Sequence, residues 1–246
     1  MSRISRKTAL GGLVVVIILA VFASGLLTGD SPDVSSGDTS QRIAAIREIA
    51  VNGSADAGET LAKVVASDRS PEVRREALAG LSHYLKPEHS KIIRKSIKDA
   101  DPGVRAIAAD TMGAYAKKYR DADKTATADL IAIVKKEPEE IVRQGALRGL
   151  VRCEDPKSIV TLLDRAEHGA SREIKLVAMK GLLRKLGVRM SRDRDPKDSA
   201  GWRDLIQRWK QSRRIRKAYA AAGERLVQRP QDLLGKDWHP ERRGRQ

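Results

Sequence analysis

The sequence predicts an all-α protein, an α-solenoid of about five helical hairpins preceded by an N-terminal transmembrane or signal helix. Three observations carry this. A basic residue followed by Ala three positions on and by apolar residues at helical spacing recurs between residues 40 and 186. Pro follows an oxygen-bearing residue where several of these helices begin, and no stretch reads as a β-strand. The chain has 246 residues, 41% hydrophobic and 33% charged, which is too apolar for disorder and too polar for a multi-spanning membrane protein.

The N-terminal segment, residues 1–29, places Arg3, Arg6 and Lys7 before an uncharged stretch from Thr8 to Gly29 whose apolar centre runs from Leu13 to Phe22. About 20 uncharged residues span a bilayer as a helix, and cations ahead of them stay on the cytoplasmic side. The expectation is a single-pass anchor with the bulk of the chain outside the cytoplasm. A cleaved signal peptide ending near Ala23 remains the alternative, and it would leave the protein periplasmic or secreted. Residues 30–39 are rich in Asp, Ser, Pro and Gly and form a linker.

Residues 40–186 hold the repeats. Arg42, Arg74, Arg105, Arg143 and Lys175 are spaced by 32, 31, 38 and 32 residues, and three positions beyond them stand Ala45, Ala77, Ala108, Ala146 and Ala178. Ile49, Leu81, Met112, Leu150 and Leu182 follow at the seventh position, so each segment is a helix with one apolar face on which Ala admits a close neighbour. Between these helices lie other apolar-periodic segments, such as Leu61-Val64-Val65 and Leu130-Ile133-Val134. Each unit is therefore a helical hairpin that must stack on the next to bury its second face. The longer step before Arg143 accommodates a polar insertion from Tyr119 to Lys124.

Ser70-Pro71-Glu72-Val73-Arg74-x-x-Ala77-Leu78 and Asp101-Pro102-Gly103-Val104-Arg105-x-x-Ala108 resemble the second-helix signature of HEAT repeats, in the short form also found in phycobilisome-lyase-like proteins. The resemblance implies an α-solenoid that serves as a binding scaffold. With the N-terminal anchor and a basic tail, the chain is similar to exported bacterial HEAT-repeat proteins, and a lyase-like or enzyme-accessory role is the alternative the resemblance implies. Some HEAT-like enzymes hold iron through His-Glu pairs. Here Tyr84, Ser90, Gly169 and Pro240 follow the four His, so no metal or cofactor is expected.

Catalytic motifs are also lacking in the sequence: it has no phosphate-binding Gly loop, no Gly-x-Ser-x-Gly and no His-Glu-x-x-His. Cys153, the single Cys, excludes an intrachain disulfide and reads as a packed thiol. The chain is expected not to be an enzyme. The repeat residues Arg74, Arg105, Arg143 and Lys175 are read as structural, each pairing with an acid or a backbone carbonyl of a neighbouring repeat, because residues 8–183 carry a net charge of just +2.

The remaining charge lies at the ends, +3 in residues 1–7 and +11 in residues 184–246, out of +16. In the segment 187–229, Trp202, Leu205, Ile206 and Trp209 fall on one helix face, while Arg203, Arg208, Lys210, Arg213, Arg214, Arg216 and Lys217 supply a candidate basic interaction face. The Trp face is suited to closing the end of the solenoid and the basic face to an anionic membrane surface or polyanion, two roles that are compatible. Nucleic acid is disfavoured by the scarcity of aromatic residues and by the export signal. Residues 230–246 mix Pro, Gly and Arg and are expected to be irregular. The function expected is non-enzymatic, a protein-interaction scaffold whose partner the sequence does not name.

Overall fold

Helix-favouring periodicity and local capping produce eleven α-helices and no strand among the described residues. The computed structural model describes residues 32–53, 55–120, 125–187 and 199–223, and of 199–202 the backbone alone. The apolar run from Thr8 to Gly29, the side chain of Trp202 and residues 230–246 lie outside the described residues.

Helix α1 (Thr39–Asn52) begins at Asp38, whose carboxylate accepts from the Ser40 N–H. Four hairpins follow. They pair α2 (Ala57–Ser67) with α3 (Pro71–Leu81), and α4 (Ser90–Ser96) with α5 (Pro102–Lys118). The other two pair α6 (Ala126–Lys136) with α7 (Glu140–Arg152), and α8 (Pro156–His168) with α9 (Arg172–Leu186). Among the described residues, the expected array of about five hairpins comprises these four and α1 ahead of them. Helix α1 carries the repeat signature of a second helix, and the described residues before it, 32–38, are turns leading to its cap.

Caps divide the chain as the Pro positions indicate, with one departure. The Asp101 carboxylate accepts from the Val104 N–H at 2.8 Å ahead of Pro102, as an N-cap should. Ser70 instead turns its hydroxyl to the Glu72 carboxylate at 2.6 Å. Pro71 still starts α3 there, because its missing N–H needs no partner in the first turn.

Second helices form the spine, α1 packing on α3, α3 on α5, α5 on α7 and α7 on α9. Ala77, Ala108, Ala146 and Ala178 are wholly buried along it, as are Leu78, Leu81, Met112, Leu147, Leu150 and Leu182. Removing each large side chain from water contributes about 1.5–3 kcal/mol, and the benefit exists only when repeats stack.

The closest helix approach is between α5 and α7. A Cβ on Gly113 would stand 2.3 Å from Gly149 Cα, and one on Gly145 would stand 2.2 Å from Ala106 O. The two backbones therefore touch, which no residue but Gly permits. Helix α5, with 17 residues, is also the longest helix described and offers the extended face on which α7 lies.

Gly145→Ala should destabilise the protein by about 1–3 kcal/mol through overpacking, even though Ala is the better helix former. Gly37→Ala, at a position with nothing within 4 Å of the added carbon, should leave stability unchanged. Urea unfolding followed by circular dichroism reads both, and equal midpoints for the two variants would contradict the α5–α7 contact.

Candidate interaction surface

Each ladder Arg starts from the first turns of a second helix. Its Nη1 turns back to the carbonyls five and six residues earlier: Arg74 to Asp68 and Arg69, Arg105 to Asp99 and Ala100, and Arg143 to Glu137 and Pro138. In Arg42, Arg74 and Arg105 the rest of the guanidinium reaches forward to an acid in the turn of the next repeat. Arg42 Nε meets Asp68 Oδ2 at 2.8 Å, Arg74 Nη2 meets Asp99 Oδ1 at 2.7 Å, and Arg105 Nη2 meets Glu137 Oε1 at 2.8 Å. Arg42 and Asp68 are almost wholly buried, the other two pairs largely so. Planar guanidinium groups make such two-sided contacts and lysine cannot. Lys175, half-buried at the fifth position, has no comparable pair among the described residues.

Burial alone would raise the pKa of Asp99, but hydrogen bonds from Arg74 and from the Asp101 N–H outweigh it and hold the carboxyl below its ordinary 3.8. Further ion pairs cross between repeats at the surface, from Arg47 to Glu76, Arg94 to Asp129, Arg120 to Glu154 and Arg152 to Asp110.

Beyond α9, helices α10 (Ser199–Gln211) and α11 (Arg213–Ala222) fold back on α8. Ile206, Trp209, Ile215 and Ala218 are buried in that contact and Leu205 is partly so. Lys210 departs from the expected basic face. Its Nζ is buried against Glu167 Oε2 at 2.6 Å, because its position on α10 faces α8 beside Trp209. Arg203, Arg208, Arg213, Arg214, Arg216 and Lys217 are exposed. Arg208 also pairs with Asp204 one turn away, and Arg214 Nη1 donates to Leu186 O at 3.1 Å.

Groups with chemical potential are placed as structural parts. Cys153 is buried and burial pushes its thiol pKa up, which keeps it protonated and a poor nucleophile. Its carbonyl accepts from Lys185, whose ammonium burial holds below its ordinary range. His89 is buried and its Nδ1 accepts from the Lys86 N–H at 3.1 Å, bracing the short 3₁₀ turn before α4. His83 and His168 are exposed. Among the described residues no group of three or more His, Cys, Asp or Glu is placed to share a metal ion.

Arg74→Gln should lower stability by about 1.5–3 kcal/mol, because it removes charge-assisted hydrogen bonds and strands Asp99. Since the folded pKa of Asp99 lies below 3.8, its contribution is complete above that pH and disappears as pH falls through the folded value. Melting temperature measured from pH 7 down to pH 3 should therefore drop less steeply in Asp99→Asn than in the parent.

The profile of HEAT repeats matches residues 58–147 and, in an overlapping placement, 90–182, which together span just over half of the chain. No curated protein matches. A crystal structure of an engineered protein is similar at 19% identity and a TM-score of 0.44, over 77% of this chain and 91% of that one. Among the described residues no helix is long and apolar enough to cross a membrane. With helical hairpins stacked in register, a recurring Arg-to-acid ladder and the profile match over the same residues, the chain belongs to the HEAT-repeat family.

Proposed function

We propose that the protein is a non-enzymatic scaffold held on the outer face of the cytoplasmic membrane, with the exposed cations of α10 and α11 receiving an acidic protein partner. One observation carries the reading. The ladder cations of the first three rungs are consumed in internal pairs, whereas α10 and α11 expose six Arg and Lys side chains and, among the described residues of these two helices, one carboxylate, that of Asp204. Such a field steers an acidic partner and is screened within about 8–10 Å at ordinary ionic strength. The HEAT family supports a scaffold because stacked repeats present extended surfaces to other proteins. For the location, the support is the order of charges, with three cations ahead of the uncharged run from Thr8 to Gly29.

Two measurements test this. Affinity capture with the full chain from solubilised membranes should retain a partner at low salt and lose it at high salt. Arg213→Glu with Arg214→Glu should abolish capture while leaving the melting curve near that of the parent; undiminished capture by this variant would refute the assigned surface. A reporter enzyme fused after Gln246 should be active outside the cytoplasm, and cytoplasmic activity would refute the location.

A further inference from the structure

We infer that the junction of the third and fourth hairpins, α6–α7 and α8–α9, binds a carboxylate carried by another polypeptide, a conclusion that rests on the scaffold reading and assigns a second contact point within it. The argument starts from the three internal rungs. The acid of each rung stands six residues before the next ladder cation: Asp68 before Arg74, Asp99 before Arg105 and Glu137 before Arg143. In the first two rungs the carboxylate lies against both Nε and Nη2 of the preceding Arg and also accepts a backbone N–H two residues on, that of Ser70 at 2.8 Å and of Asp101 at 2.9 Å. A planar two-oxygen acceptor is thus gripped by a guanidinium edge and a helix-leading amide.

The fourth rung keeps the receiving half of this arrangement. Arg143 Nη1 donates to the Glu137 and Pro138 carbonyls, as its counterparts do to theirs, so the guanidinium is held in the same posture. Those two carbonyls are the partners of Arg143 among the described residues. The spacing from Arg143 to Lys175 is 32 residues, equal to that from Arg42 to Arg74, and Ser171 therefore occupies the place of Ser70. The acid's place falls to Gly169, which has no side chain. A Cβ there would stand 2.5 Å from Arg165 O and 2.7 Å from Ile174 Cγ2. The chain cannot supply an acid from that position without a backbone shift.

The result is a half-buried guanidinium, oriented by its own repeat and arranged to receive a carboxylate that no described residue provides there. Lys175 adds a second half-buried cation in α9, the second helix of the next hairpin. An Asp or Glu side chain of a partner would complete the rung in the pattern already seen three times. Binding it replaces hydration of an Arg whose other half is already ordered, so little conformational entropy is lost.

The test is arginine Nε–Hε NMR on the full chain in zwitterionic detergent, titrated with acetate in place of chloride at constant ionic strength. The Arg143 signal, assigned by its disappearance in Arg143→Lys, should shift saturably, while those of Arg42, Arg74 and Arg105 stay fixed because carboxylates already hold them. An acidic hexapeptide of Asp and Glu should produce the same shift at lower concentration. No Arg143 shift, or an equal shift of all four signals, would overturn the inference, and so would a response to inorganic phosphate with none to acetate. Partner capture in the parent distinguishes the two levels. If capture persists while Arg143 ignores acetate, the scaffold stands and this site falls. If acetate shifts Arg143 while capture by the cap fails, the site stands without the scaffold's proposed surface.

Discussion

An Arg at the start of a second helix that holds its own turn with one nitrogen and the following repeat with the others sets the register of the whole array. The guanidinium groups of Arg42, Arg74 and Arg105 each fasten carbonyls five and six residues back and an acid in the next hairpin. The acid's own main chain is in turn fastened by the next Arg, so Asp68 and Asp99 each take part in two rungs. Largely buried ion pairs of this kind add little net stability compared with apolar packing of the same volume, but breaking one leaves a charge without a partner. Sliding one hairpin along its neighbour would break several rungs at once. The ladder therefore selects one stacking geometry among the many that a ridge of Ala and Leu would accept.

Packing and charge are separated along the molecule. The spine of α1, α3, α5, α7 and α9 contributes buried Ala and Leu, and α5 and α7 touch backbone to backbone where Gly113 meets Gly149 and Gly145 meets Ala106. Cationic surface collects on the cap instead, where Ile206, Trp209 and Ile215 supply the docking force and leave the Arg side chains facing outward. One face of the cap thus depends on hydrophobic burial and the opposite face is free to carry charge.

Local periodicity made much of this legible. Ala at the third position after each cation and Leu or Met at the seventh repeat often enough to identify the helices and their buried face. What periodicity cannot convey is which distant residue answers a given side chain. Asp68 lies 26 residues from Arg42 and Glu137 lies 32 from Arg105, so the acids were readable only as a class balancing the charge. Lys210 departs from the basic face for the same reason, since Glu167 sits on a helix that α10 meets only after the chain folds back. Gly145 and Gly149 flank the more conspicuous Ala146, and their four-residue spacing, which marks one helix face, is the sequence signal for the backbone contact.

The α9 end of the array carries a cover, since α10 and α11 lie on α8 with aromatic and aliphatic side chains. In a one-dimensional stack, opening begins where a unit has neighbours on one side only. A cover of this kind gives the last hairpin a second neighbour, so its amide hydrogens should exchange with solvent later than those of a hairpin left open. One direction of unzipping is closed by the same helices that carry the charge.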